Sequence, residues 1–324
     1  MKLRGLLRWE SMLGLVLLAE FVFFASVSQY FLNLWTLSDA TFNFTERLVI
    51  ALPLALLIVA GEIDISVAAI IALSSVTMGL AAAHGVGTAG LTSIGLLTGL
   101  LAGAVNGALV TLGRVPAIVA TIGTMTLFRG LAYAILGDRV LKDYPASFAA
   151  LGQGYAVGAL SIELSLCIAI AIGCGFFLHF TRWGRAIFAI GANATAARWS
   201  GIPVDRYRFA LFAVTGLFSG LAGVLLTSRL GSTRPSIAQG WELEIISMVV
   251  LGGVSVWGGK GTILGVALAA VILGFVNFGL GLMNVPGIVM SIIVGVLLIV
   301  VVCTPIIGER WSQWRARSVQ ERAP

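Results

Sequence analysis

Apolar residues come in this chain in runs of about twenty, and very little charge breaks them. Ten such stretches lie near 12–32, 44–61, 65–84, 89–113, 115–137, 160–180, 207–228, 243–257, 262–283 and 286–304, the eighth being short. About 20 apolar residues are what an α-helix needs to cross the hydrocarbon core of a bilayer. Inside that core a helix satisfies all its own backbone hydrogen bonds, which an open sheet or a loop cannot do. Charged residues make up 10% of the 324 positions, against about 25% in a soluble domain. A water-soluble fold is therefore excluded. The expectation is an all-α integral membrane protein of about ten transmembrane helices, forming one transmembrane domain over residues 1–324.

The net charge of +6 invites a nucleic-acid reading, which the distribution of charge rejects. With the N-terminus in the cytoplasm, ten spans place most of the Lys and Arg inside: Lys2, Arg4, Arg8, Arg114, Arg182, Arg185, Arg198, Arg206, Arg208, Lys260, Arg310, Arg315, Arg317 and Arg322. Arg139, Lys142, Arg229 and Arg234 fall outside, and Arg47 and Arg129 within spans. This positive-inside bias orients the chain, with both termini cytoplasmic. Lys2, Arg4 and Arg8 ahead of an apolar run resemble a signal peptide, but Glu20 interrupts the run and the apolar character reaches Leu32. An uncleaved first span is expected. Cys167, Cys174 and Cys303 lie in apolar stretches without metal-ligand spacing, and His84 and His179 stand at span ends. No metal site is expected.

Three longer polar segments remain: about 138–159 and 229–242, both expected outside, and about 182–208, expected inside. Val115-Pro-Ala-Ile-Val119 and Val285-Pro-Gly-Ile-Val289 recur 170 residues apart, preceded by Asn106 and Asn277 at nearly the same offset. The threading gives the two segments opposite directions, which fits either an inverted five-span repeat of the transporter kind or a chance match of apolar segments. Gly95, Gly99, Gly103 and Gly107 share one helix face, as do Gly216 and Gly220. Such faces let helices approach backbone to backbone.

Gly61-Glu62-Ile-Asp64-Ile-Ser66 joins two spans with almost no loop. Carboxylates at membrane depth are expensive and default to functional roles. Here Asp64 or Ser66 serves as a helix cap, lines a translocation path with Glu62, or does both. Asn106 and Asn277 are either interhelical hydrogen-bond glue or path groups. Arg129, deep in a span, is expected to form a structural ion pair, with Glu46 as its candidate partner. The glycine-rich run from Gly252 to Gly261 imitates a phosphate-binding loop. That loop needs a Gly where Val254 stands and a hydroxyl after Lys260, where Gly261 stands. It reads instead as a tight cytoplasmic turn, and no ATP is expected on this chain.

Within the basic segment, Asn193 is a good N-cap, Ala194 to Ser200 supplies about two turns, Gly201 suits the C′ position and Pro203 stops the helix. Two turns are not stable alone in water. The helix must be held by the bundle, by a partner, or on lipid headgroups.

Gly-Glu-Ile-Asp-Ile-Ser at 61–66, Thr-Ile-Gly-Thr-Met-Thr-Leu-Phe-Arg-Gly at 121–130, the segment 191–202 and Val-Leu-Gly-Gly-Val-Ser-Val-Trp-Gly-Gly-Lys-Gly-Thr at 250–262 resemble the permease subunits of ribose-type ABC importers. That family includes ribose, xylose, rhamnose and autoinducer-2 systems. The resemblance runs in order over about 45–300. It implies a multi-pass inner-membrane permease, with no catalysis of its own, that imports a monosaccharide or sugar-like solute of rhamnose or autoinducer-2 type.

Its implied partners are a cytoplasmic ABC ATPase that carries the ATP and magnesium, a periplasmic sugar-binding protein, and a second permease copy or sister permease. Asn193, Ala196, Ala197, Arg198, Ser200 and Gly201 would form the ATPase-coupling helix, and Arg229, Arg234, Glu242 and Glu244 would meet the binding protein. Two departures stand out: Asn193-Ala-Thr-Ala-Ala replaces the Glu-Ala-Ala of other ABC permeases, and Glu62 replaces the usual Gly. The alternative is a proton-coupled secondary transporter using Glu62, Asp64 or Glu20.

Overall fold

The computed structural model describes residues 3–290 and, beyond them, 292, 293, 295, 296 and 299. Lys2, Arg310, Arg315, Arg317, Arg322, Cys303 and most of the tenth apolar stretch lie outside the described residues. In chain order the elements are α1 (Leu3–Val27), α2 (Leu34–Thr41), α3 (Thr45–Val59), α4 (Val67–Ala83), α5 (Thr88–Thr111), α6 (Ala117–Leu136) and α7 (Ala146–Gln153). A small antiparallel hairpin of β1 (Tyr155–Val157) and β2 (Leu160–Ser161) follows. The chain continues through α8 (Ile162–Phe180), α9 (Arg182–Ala192), α10 (Ala194–Trp199), α11 (Val204–Leu230), α12 (Trp241–Leu251) and α13 (Ile263–Leu282).

Six helices among the described residues are long and apolar enough to cross a membrane: α1 from Trp9, α5, α6, α8, α11 and α13. The pair α2 and α3, bent by 49°, makes a seventh if it counts as one span. The chain is a mostly helical, multi-pass membrane protein. Two of the ten apolar stretches form helices shorter than a span: α4 has 17 residues and α12 has 11. At 1.5 Å per residue an 11-residue helix covers only about 16 Å, because the glycine-rich run from Gly252 turns the chain before it can go further.

Helix α3 is apolar on every side and is buried accordingly; apart from Arg47, each of its residues is in the core. Against it and α5 lies α11. The two glycine faces read separately in the sequence meet here: a methyl on Gly99 would sit 2.7 Å from Gly220 Cα, and one on Gly216 would sit 2.6 Å from Gly103 Cα. No side chain larger than hydrogen fits, so the two backbones pack directly.

Elements 170 residues apart correspond in order. A helix (α3, α11) ends in a break (60–66, 231–240), and then come a helix shorter than a span (α4, α12), a connection, and a long helix (α5, α13). Next comes a residue with left-handed backbone, Arg114 (φ 54°) or Asn284 (φ 56°), immediately before Val-Pro. Glu46 at the start of α3 meets Arg229 at the end of α11, and Glu62 just past α3 meets Arg208 near the start of α11. Helices α3 and α11 therefore run antiparallel.

The segment 229–242 packs into the bundle. Thr233, Ile237 and Ala238 are buried. The backbone of Thr233 pairs with that of Leu141, while its hydroxyl reaches Ser75 on α4. Buried backbone outside a helix needs partners for its carbonyls, and Arg129 supplies them. Its guanidinium donates to the carbonyls of Pro235 (2.7 Å), Ile237 (2.8 Å) and Ala68 (3.2 Å). The expected Arg129–Glu46 ion pair is thus corrected: Arg129 bonds carbonyls, and Glu46 belongs to Arg229 at 2.5 Å.

Candidate coupling and translocation site

The short helix α10 is fastened at both ends. Asn193 Oδ1 accepts from the Ala196 N–H at 2.9 Å. At the other end the Gly201 N–H donates to the Arg198 carbonyl and the Ile202 N–H to the Ala197 carbonyl, each at 3.1 Å. This is the paired closure that a left-handed C′ residue makes, and Gly201 (φ 83°) supplies it. Ala197 faces the core, whereas Ala196, Arg198, Trp199 and Ser200 are exposed. Pro203 then leads into α11, whose Asp205 holds Arg198 at 2.8 Å in an exposed ion pair.

Beside this helix opens a cavity of about 630 Å³, lined among others by Glu62, Arg114, Pro116, Arg198, Asp205 and Arg208. Glu62 pairs with Arg208 at 2.8 Å. Burial raises the Glu62 carboxyl above its ordinary range, and the Arg208 charge opposes that.

Two residues on from Glu62, the carboxylate of Asp64 is fully buried. It accepts from the Ser66 N–H (2.8 Å), the Ser66 hydroxyl (2.7 Å) and Asn106 Nδ2 (3.1 Å). Asn106 Nδ2 also reaches Ser66 Oγ at 2.7 Å. Asp64 thus satisfies the N–H at the start of α4 and ties the break to α5. The Asn106 Oδ1 atom is buried without a partner among the described residues. Asn277 stands half-buried on α13.

Three glycines bind these pieces together. The Gly259 N–H donates to the Val59 carbonyl at 2.8 Å. A methyl on Gly191 would collide with Val59 O and Gly259 N, and one on Gly258 would lie 3.0 Å from Gly61. The end of α3, the lead-in to α10 and the turn after α12 therefore touch backbone to backbone. Sequence reading took that last run as a tight turn that imitates a phosphate loop. Its repeated glycines signalled close approach, but not to what.

A profile for the permease component of the branched-chain amino acid transport system matches residues 37–302. Autoinducer 2 import system permease protein LsrD from Escherichia coli (strain K12) is 34% identical over 98% of both chains. The Shigella flexneri protein of the same name is equally similar. No solved structure matches. The chain belongs to the ribose-type ABC permease family. It is a multi-pass inner-membrane protein.

The candidate binding-protein residues of this permease lie at the end away from α10. Arg229 is turned toward the buried Glu46, and Glu244 pairs with Arg47 at 3.0 Å. Arg234 is exposed and Glu242 half-buried. Sequence reading missed Glu163, which is fully buried on α8 and accepts from Thr45 Oγ1 at 2.9 Å. Its only signal was a carboxylate in the first turn of an apolar helix. Which groups surround it is decided by α3 and α11, far away in sequence.

Proposed function

We propose that this permease imports a sugar-like solute of the autoinducer-2 type, driven by a cytoplasmic ABC ATPase and fed by a periplasmic binding protein. The carrying observation is α10: a two-turn helix, capped at both ends, that presents Arg198 and Trp199 to solvent. A helix too short to persist alone is here locked into shape for something outside the bundle to push. Asn193, Ala196, Ala197, Arg198, Ser200 and Gly201 form the coupling helix in this reading. ATP and magnesium stay on the ATPase, and this chain performs no catalysis.

The path runs past Glu62, Asp64, Ser66 and Asn106. The unpartnered Asn106 oxygen supports that assignment, since it offers an acceptor to a hydroxyl-bearing solute. Asn277 would hold the equivalent place in the second repeat. About ten spans with both termini cytoplasmic complete the arrangement, and the permease pairs with a second copy or a sister chain within the lipid. Segments 138–159 and 229–242 face the periplasm, Arg234 and Glu242 offering the freest contacts there.

The test is uptake of labelled sugars in cells lacking this chain and rescued by it, with ATP depletion and uncoupler applied separately. Loss on ATP depletion alone is expected. Loss on uncoupler alone would overturn the proposal in favour of proton coupling through Glu62 or Asp64.

A further inference from the structure

Two tryptophans at the α10 end stand in solvent, Trp199 at 88% exposure and Trp257 at 91%. Neither sits on a loose segment. Trp199 closes α10, and Trp257 rides the turn between α12 and α13, which is held by its own bonds: Ser255 N–H to Lys260 carbonyl at 3.0 Å and Gly258 N–H to Ser255 carbonyl at 2.9 Å. The next residues, Gly258 and Gly259, lie on Gly191 and Ala192, the lead-in to α10. The two indoles therefore belong to one continuous, rigid surface.

That surface is basic. Arg182, Arg185, Arg198, Arg206 and Lys260 are exposed on or beside it. The nearby carboxylates are already engaged: Asp205 by Arg198, Glu62 by Arg208, and Glu10 by the Thr262 hydroxyl at 2.7 Å. Large aromatic side chains and arginines are what the energetic centres of protein interfaces are made of.

We infer that the Trp257 turn is a second docking point for the cytoplasmic ATPase, contiguous with α10, and that the partner receives the indole in an acidic groove. This rests on the coupling reading of α10 and extends it. A push on the paired surface would reach Gly61, and so Glu62 and Asp64, through the glycine contacts as well as through α10 itself.

The experiment titrates the cognate ATPase subunit onto the permease in nanodiscs of neutral lipid. Trp257→Ala is expected to weaken binding about tenfold or more with unchanged thermal stability, Trp257→Phe to recover much of it, and Arg198→Glu to weaken it independently. Wild-type binding by Trp257→Ala, with Arg198→Glu still impaired, would overturn this inference and leave the coupling helix standing. Wild-type binding by both variants would overturn both readings. A third arm uses vesicles carrying phosphatidylglycerol and a headgroup quencher. Quenching of Trp257 there, with ATPase affinity unaffected by its replacement, would make the turn a lipid anchor and likewise overturn the inference.

Discussion

The two ends of the bundle are held together in different ways. At the end carrying α10, the break after α3, the lead-in to α10 and the turn after α12 join backbone to backbone through Gly61, Gly191, Gly258 and Gly259, around an open cavity whose ion pairs are partly exposed, with Asp64, Ser66 and Asn106 as the buried hydrogen-bonded cluster beside it. At the other end the contacts are buried side-chain hydrogen bonds. Thr233 Oγ1 meets Ser75 and Tyr144, Ser75 receives the Thr227 hydroxyl, and Ser228 Oγ accepts from the Gly152 N–H. Glu46 takes Arg229 beside Glu163 and Thr45. Buried polar bonds are costly to break because each group left behind loses its partner in a medium without water. Smooth glycine faces resist penetration but carry few directional bonds to break. Under the proposed coupling, one end keeps its shape while the other is displaced as a unit.

The comparison can be broken most decisively at the Glu46–Arg229 pair. Glu46 is only 1% exposed, so Arg229→Ala strands a buried carboxylate and should cost about 3–5 kcal/mol, read as a fall in melting temperature in detergent. A loss near zero would remove the rigid-end argument. Gly216→Val, at the middle crossing of α5 and α11, should follow at about 1–3 kcal/mol through overpacking. Its transport defect should exceed that of Gly123→Ala, where a methyl meets open space. Thr233→Val, which leaves Ser75 and Tyr144 short of a partner, should cost about 1–3 kcal/mol by the same melt.

At the α10 end the stabilities should barely move while transport does. Asn193→Ala removes one cap bond, worth about 1 kcal/mol, and is expected to lower ATP-driven uptake severalfold with little change in melting. Asp205→Asn breaks an exposed pair worth less than about 1 kcal/mol. If these two destabilise the protein as much as Arg229→Ala, the ends do not differ and the displaced-unit view falls.

Much of the architecture was legible because it follows from local chemistry. Long apolar runs mean helices in lipid, the Asn193 to Pro203 pattern means a capped short helix, and glycines four apart mean a close crossing. The partner of that crossing was not legible, since a glycine face records how near a neighbour comes and not which one it is. The same holds for Arg129. Burial demanded partners for it, and a carboxylate was the natural expectation. Carbonyls of a segment more than a hundred residues away filled the role, because the break at 231–240 left them without helical bonds.

Thus the sequence by itself determined that the chain spans a membrane as helices, carries a capped helix in its most basic segment and repeats a Val-Pro helix start. Those properties depend on solvent transfer and on bonds between residues a turn apart. Only the tertiary structure decided that Asp64, Ser66 and Asn106 form one buried cluster, that Glu46 belongs to Arg229, and that the turn bearing Trp257 lies against the lead-in to α10. These are pairings between distant segments, and which one forms is settled only when all the helices pack at once.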